Sequence, residues 1–369
     1  MKRLVFLLFA GLLGLASAEV VKLEYAPSPV DNPLKGLVPY VTSDAVDRFP
    51  HSVEFYYFPL RKLLVGPESF DWSPIEKTLA ITQKRGVQLT FRVYMEFPGK
   101  ENAIPQFLIN GGLKVTKWTS EESDGGVIHT PNYEDPQLRA ALKRFIAAFG
   151  EKYDNDPRVA WVTAGLLGLW GEWHTYPRED LWASFDVQNE VLDAYEAAFK
   201  KTPILLRYPA KDGHYAQAAN HKRRFGYHDD SFGYATLDTG REEDSWFFIP
   251  LLKEAEALEK WKTEPIGGEI RPELWKRSFT NQPHKRAQNF QQCVEETHVT
   301  WLMDSGLFEK RFPLPDSRRE RALDEVRRLG YEFHVSEASY PKRRTSSNAR
   351  SRRESGSGNR FSKSPESIS

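Results

Sequence analysis

Residues 158–175, RVAWVTAGLLGLWGEWHT, decide the fold. Val159, Ala160, Trp161, Val162, Leu166 and Leu167 make an apolar run with no helical charge face, which predicts a buried strand. The run meets Gly165, Gly168 and Gly171 and ends on Trp170, Glu172, Trp173 and His174. A carboxyl placed between two indoles just past a buried strand has its charged form disfavoured, as a general acid requires. The alternative is a glutamate paired with a nearby arginine or lysine in an ordinary loop.

Outward from this stretch, strands and helices alternate. The patterns predict strands over 37–41, 52–60, 87–95, 159–169, 203–208, 224–228, 265–270 and 298–303. Helices are predicted over 74–85, 137–153, 179–200, 241–261, 285–293 and 317–329. Residues 97–134 carry Pro105 and two glycine pairs without clear periodicity, as a functional loop or lid does. Residues 331–335, YEFHV, read as a further short strand. Eight strands alternating with helices over some 300 residues give an α/β class chain, a (β/α)8 TIM barrel. An open doubly wound sheet is disfavoured, because no glycine-rich phosphate turn follows the first strand.

Composition bounds the rest. Lys2 and Arg3 precede the apolar run 4–15, and Ala16-Ser17-Ala18 is a small-x-small cleavage site, so residues 1–18 read as a secretory signal peptide. The mature chain is then expected to be secreted or extracytoplasmic, in a periplasm or at a cell surface, with no transmembrane segment after cleavage. Cys293 is the single cysteine, so stability must come from a core rather than a disulfide. Residues 341–369 turn to Ser, Arg, Gly and Lys and lack the apolar residues to fold, which predicts a disordered basic tail. That tail holds eight of the 51 basic and two of the 51 acidic residues, and the signal two more basic ones. The segment 19–340, expected to be the barrel, therefore has a net charge of about −8. An acidic body argues against a nucleic-acid partner. Ten tryptophans and 13% aromatics suit stacking on sugar faces.

In such barrels the reactive groups stand at the C-terminal ends of the strands. Those ends carry Arg92 and Glu96, Glu172 and His174, Arg207 and Tyr208, then His228, Asp229 and Asp230, Glu269 and Arg271, and finally Trp301 with Asp304. Several of these are of the kinds that make structural ion pairs at a rim. Glu172 at strand four and Glu269 at strand seven are the two candidate catalytic residues. Retaining glycoside hydrolysis needs two carboxyl groups about 5–5.5 Å apart, one a nucleophile and one an acid and base. Arg92, Trp170, Trp173, His174, Arg207, Tyr208, His228, Asp229, Trp301 and Asp304 are the candidate substrate-binding residues. The histidines show no HExxH or CxxC pattern and the chain no GxSxG elbow, so neither a metal, a cofactor nor a serine nucleophile is expected.

The pieces NPLKG (32–36), YYFPLRKLLVGPESFDW (56–72), LTFRVY (89–94), DPRVAWVTAGLLGLWGEWH (156–174), GYHDDSFG (226–233) and IGGEIRP (266–272) resemble clan A of the glycoside hydrolases. The chain is similar, more closely, to an uncharacterised family of secreted glycosidase-like barrels. The resemblance implies a catalytic-looking barrel acting on a glycoside or polysaccharide, with Glu172 as acid and base and Glu269 as nucleophile. It also implies an asparagine directly before the acid and base, bonded to the sugar 2-hydroxyl. Here that position is Gly171. Relatives in the uncharacterised family continue into a β-sandwich where this chain enters its basic tail. The competing expectation is a non-catalytic carbohydrate-binding barrel at the cell surface, with the same aromatic cleft.

Overall fold

The computed structural model describes residues 18–121 and 125–341, so the expected signal peptide and basic tail lie essentially outside the described residues. Eight parallel strands form one sheet: β1 (Gly36–Val38), β2 (Val53–Pro59), β3 (Gln88–Tyr94), β4 (Val159–Thr163), β5 (Ile204–Leu206), β6 (Gly226–Phe232), β7 (Ile266–Ile270) and β8 (Trp301–Met303). From β2 to β8 each strand pairs with the next, and β8 returns to β1 through Trp301–Gly36 and Met303–Val38. The gap between β1 and β2 is bridged at Tyr40 and Phe55, where the Phe55 amide donates to Pro39 at 2.8 Å. This is the (β/α)8 barrel, with its eight strands in the expected chain order.

The main helices are α1 (Ser73–Arg85), α2 (Pro136–Tyr153), α3 (Phe185–Ala198), α4 (Phe248–Glu254), α5 (Phe290–Thr297) and α6 (Asp316–Val326). The buried faces of α1 to α3, including Ile75, Leu79, Leu142, Phe145, Phe149 and Leu192, pack with Leu89, Phe91 and Val162 of the sheet. Inside the barrel, Val38, Phe55, Trp161, Leu205, Trp301 and Met303 form a second core. Trp161 and Trp301 stack there with centroids 4.8 Å apart. Gly267 makes this possible, since a Cβ at that position would stand 1.9 Å from the Trp301 ring.

Several boundaries differ from the sequence expectation. The expected helix over 285–293 begins only at Phe290, because the Asn289 side chain accepts the Gln292 amide and caps it there. His298, expected to open strand eight, is instead the left-handed end of that helix, at φ +52°. The expected helices 179–200 and 241–261 are each broken. Ser184 caps α3 after a short 3-10 turn at Glu179–Leu181, and α4 is flanked by 3-10 turns at Glu242–Asp244 and Lys260–Lys262. The excursion holds a short helix, Gln106–Asn110, and a hairpin, Val115–Thr119 with Val127–Pro131. Residues 331–335 form no strand. Ala18–Lys22 and Glu337–Pro341 pair antiparallel and belong to a separate compact unit, and the barrel unit runs from Pro27 to Phe333.

Candidate active site

The site is set by where β4 stops. The strand ends at Thr163 rather than at 169, because Gly165 lies directly on β3: a Cβ there would stand 1.9 Å from the Val93 carbonyl oxygen. The chain then turns through five left-handed residues, Leu166 (φ 72°), Gly168 (76°), Trp170 (54°), Gly171 (73°) and Trp173 (61°). For the three that are not glycine, this conformation costs about 1–2 kcal/mol each. The loop is held by many bonds. Leu166 N donates to Val93 O at 2.8 Å, Trp170 N to Glu96 O at 2.8 Å, and Gly168 N to the Tyr133 hydroxyl at 2.8 Å. The Glu96 carboxylate accepts from the hydroxyls of Thr130 and Tyr133, which ties the excursion to the same loop. Observed backbone strain that its surroundings over-determine is a mark of a functional segment.

This loop delivers Glu172 to the barrel mouth, 7% exposed. Arg92 Nη1, from β3, meets Glu172 Oε1 at 2.5 Å. Arg92 also donates to Thr163 Oγ1 at 3.2 Å and to the Tyr57 hydroxyl at 3.3 Å, and it is itself fully buried. Gly171 lies against the Arg92 stem: a Cβ there would stand 3.0 Å from Gly165 Cα and 3.1 Å from Arg92 Cδ. An asparagine at 171 would tolerate the left-handed backbone better than most side chains, but its Cβ would crowd Gly165 and the Arg92 stem.

Glu269, from β7, is 8% exposed, and among the described residues it has no hydrogen-bond or ion-pair partner. Burial first, and then the charge on Glu172, push its carboxyl up to about 8. Burial raises the Glu172 carboxyl too, but there Arg92 in direct contact opposes it. The β6 register slips opposite Glu269, with Asp229 facing Gly268 and Phe232 facing Ile270. Such bulges re-aim side chains. Here Asp230 meets Arg207 Nε at 2.6 Å. Burial opposes the Asp230 charge, but Arg207 outweighs it and holds the carboxyl at about 2.

Around these groups the rings form an arc: Tyr40 and Tyr57 (6.3 Å), Tyr57 and Phe97 (5.5 Å), Phe97 and Trp170 (6.4 Å), Trp170 and His174 (6.1 Å), His174 and Tyr208 (6.3 Å). Arg207 lies on the Tyr208 ring at 3.8 Å. All six rings are half-buried, as stacking platforms at a cleft are. Burial pushes the His174 imidazole down to about 4, so it is neutral.

Of the residues expected from sequence, Glu172, Glu269, Arg92, Trp170, His174, Arg207 and Tyr208 thus come together at one mouth. His228 lies beneath, fully buried and stacked 5.5 Å from Trp301, with neither ring nitrogen bonded among the described residues. Four others stand elsewhere or face away. Trp173 is buried in the core, its Nε1 donating to Ala164 O at 3.0 Å. Trp301 is inside the barrel and fully buried, so it offers no open face. Asp229 accepts from Ser231 N at 2.9 Å and Thr236 Oγ1 at 2.6 Å, and Asp304 accepts from Leu307 N at 2.8 Å, each bracing its own loop. Tyr40, Tyr57 and Phe97 were missing from the expected set. The alternation Val53, Phe55, Tyr57 in β2 was the signal for Tyr57. Among the described residues no three His, Cys, Asp or Glu are grouped to hold a metal ion, and no helix is long and apolar enough to cross a membrane.

The strand register and the mouth define the class: an eight-stranded α/β barrel with a buried pair of glutamates at the ends of strands four and seven. No family model matches the chain, and no curated protein matches it. Among solved structures it is similar to endo-glycoceramidase II from Rhodococcus sp., at 12% identity over 80% of this chain and 81% of that one, with a TM-score of 0.45. It is similar also to a GH5_18 protein from Bifidobacterium longum subsp. longum, at 16% identity over 75% and 68%, with a TM-score of 0.43. Likeness this distant carries no weight for chemistry, and the barrel rests on its own strand register.

Proposed function

We propose that the chain is a secreted glycoside hydrolase that cleaves a glycoside or polysaccharide with net retention, using Glu172 and Glu269. The observation that carries this reading is the asymmetric pair itself. Two glutamates from strands four and seven lie almost buried at one mouth, one against a guanidinium and one with no cation in contact. A two-carboxyl double displacement needs that difference, one group ionised and one able to give a proton. The arc of half-buried rings supports a sugar ligand, since sugars present apolar faces to such rings. Export is supported by the character of residues 1–18.

A second reading is a non-catalytic carbohydrate-binding barrel at the cell surface. Gly171 favours it, because the asparagine contact to the sugar 2-hydroxyl has no counterpart there. Hydrolysis of an aryl-glycoside and polysaccharide panel by residues 19–369 separates the two. Glycosidase action predicts turnover in the wild type that falls at least 1,000-fold, about 4 kcal/mol of barrier, in Glu172→Gln and in Glu269→Gln. Turnover that survives both changes removes the site assignment. Sugar binding without turnover leaves the second reading.

A further inference from the structure

The connection after β7, residues 271–289, takes no part in the chemistry argued above. Its sequence, RPELWKRSFTNQPHKRAQN, carries Arg271, Lys276, Arg277, Lys285 and Arg286 against one acid, Glu273. That is a basic loop on a segment, 19–340, whose net charge is about −8. We propose, resting on the reading of this mouth as a sugar site, that the glycan it takes is acidic: Arg271 and Arg286, gathered on the Tyr234 ring, bind a carboxylate or sulfate substituent of a neighbouring sugar unit.

The loop is pinned along its length. Apart from a 3-10 turn at Pro272–Leu274 it holds no regular element before α5, and connections of this length in a compact domain are usually functional. Arg318, buried in the first turn of α6, donates to the carbonyls of Trp275 at 2.6 Å and Ser278 at 2.9 Å. Gln288 N donates to Gly233 O at 2.7 Å, and Gln288 Oε1 accepts the amides of Thr236 and Leu237 at 2.8 and 2.9 Å. The charged side chains of the loop therefore start from fixed positions.

Two of them converge beside the catalytic pair. Arg271, two residues past Glu269, donates to Ser231 Oγ of β6 at 3.0 Å and lies 4.8 Å from the centre of the half-buried Tyr234 ring. Arg286, which is exposed, lies 5.1 Å from the same ring and donates to its hydroxyl. Arg286 Nε and Nη2 and Arg271 Nη2 make no bond among the described residues. Of the five Lys and Arg residues of the loop, only Arg271 has a carboxylate partner among the described residues, Glu273 at 3.0 Å. A solvent-screened pair of that kind has little net strength and yields to an incoming anion. Two guanidinium groups with donors free match a carboxylate or a sulfate, which lysines do less well. Glu172, Glu269 and Asp230 would repel such a group at the centre of the mouth. The substituent therefore belongs to a sugar next to the one held between the two glutamates, on the β6–β7 side.

Binding tests this without requiring turnover. Affinity electrophoresis is run through gels holding pectate, alginate or carrageenan, and through gels holding neutral galactan, mannan or hydroxyethyl cellulose. At least one acidic polysaccharide is expected to retard the protein more than every neutral one; pectate or alginate would name a carboxylate, carrageenan a sulfate. Arg271→Ala/Arg286→Ala should weaken that retention about tenfold, as loss of charge-assisted hydrogen bonds does. Lys276→Ala/Arg277→Ala, in the same loop, should weaken it less than about twofold, being a loss of unpaired surface charge only. Retention by acidic polysaccharides no stronger than by neutral ones overturns the proposal, as does an equal loss in the two double variants, which would mean diffuse attraction. Retention that needs Arg271 and Arg286, without turnover of any polysaccharide, leaves the acidic-glycan site standing and removes the hydrolase reading. Turnover of neutral polysaccharides alone keeps the hydrolase and overturns the acidic-glycan site.

Discussion

Replacing Arg92 with methionine removes the guanidinium but keeps an unbranched stem against Gly165 and Gly171. Glu172 is then a buried carboxylate with no cation in contact. Removing one partner of a buried ion pair costs about 3–5 kcal/mol, because the other charge is left uncompensated. Glu172 can escape that cost by taking up a proton, which makes the loss depend on pH. Without Arg92 its folded-state carboxyl is raised further above the unfolded value of about 4.3. The folded variant therefore binds more protons than the unfolded chain above that pH, and its stability falls as pH rises. At pH 5 the expected loss is about 1–2 kcal/mol, from the bonds to Thr163 and Tyr57. At pH 7.5 it approaches the full 3–5 kcal/mol. Urea denaturation at both pH values, with unchanged slope, reads these losses. Adding Glu172→Gln to the variant removes the stranded charge and should restore about half of the loss at pH 7.5. Equal losses at the two pH values, or a double variant no more stable than the single one, would refute a charged Glu172 held by Arg92.

Two further outcomes follow from the same geometry. Glu269 holds its proton up to about pH 8 in the fold, far above the ordinary carboxyl range, so this group makes wild-type stability decline between about pH 4.5 and 8. Glu269→Gln should flatten that decline in thermal melts taken across the range, and an unchanged slope contradicts the assignment. Gly171→Ala must enter a left-handed backbone at φ +73° and bring a Cβ to 3.0 Å from Gly165 Cα. It should lose about 1–3 kcal/mol in urea denaturation, whereas a neutral result would mean the loop is not packed as described.

The order of the barrel was legible in the sequence because each strand is a short apolar run closed by a polar residue, with helical periodicity between. Glu172 and Glu269 were legible for the same reason, as carboxyls just past such runs. What the pattern could not carry was the path between Thr163 and Glu172. Leu166, Leu167 and Leu169 read as more strand, yet Gly165 abuts the Val93 carbonyl and the chain turns through left-handed residues instead. Tryptophan was ambiguous by nature, being both a core filler and a sugar platform. Trp170 stands at the mouth, whereas Trp173 and Trp301 fill interiors; the crowding of Gly267 by Trp301 explains one of the two glycines before Glu269. The arc of Tyr40, Tyr57 and Phe97 comes from three separate segments, and no local pattern joins them. The Arg92–Glu172 contact is likewise a matter of register between β3 and the loop after β4.

The measurement that tests the account most directly follows the first-formed product by proton NMR during hydrolysis of a substrate from the panel. Two carboxyls acting in a double displacement predict that the anomeric signal appears first in the substrate's own configuration and only later mutarotates. A first product of inverted configuration would contradict the covalent mechanism, and with it the assignment of Glu172 and Glu269 as the two carboxyls of a double displacement.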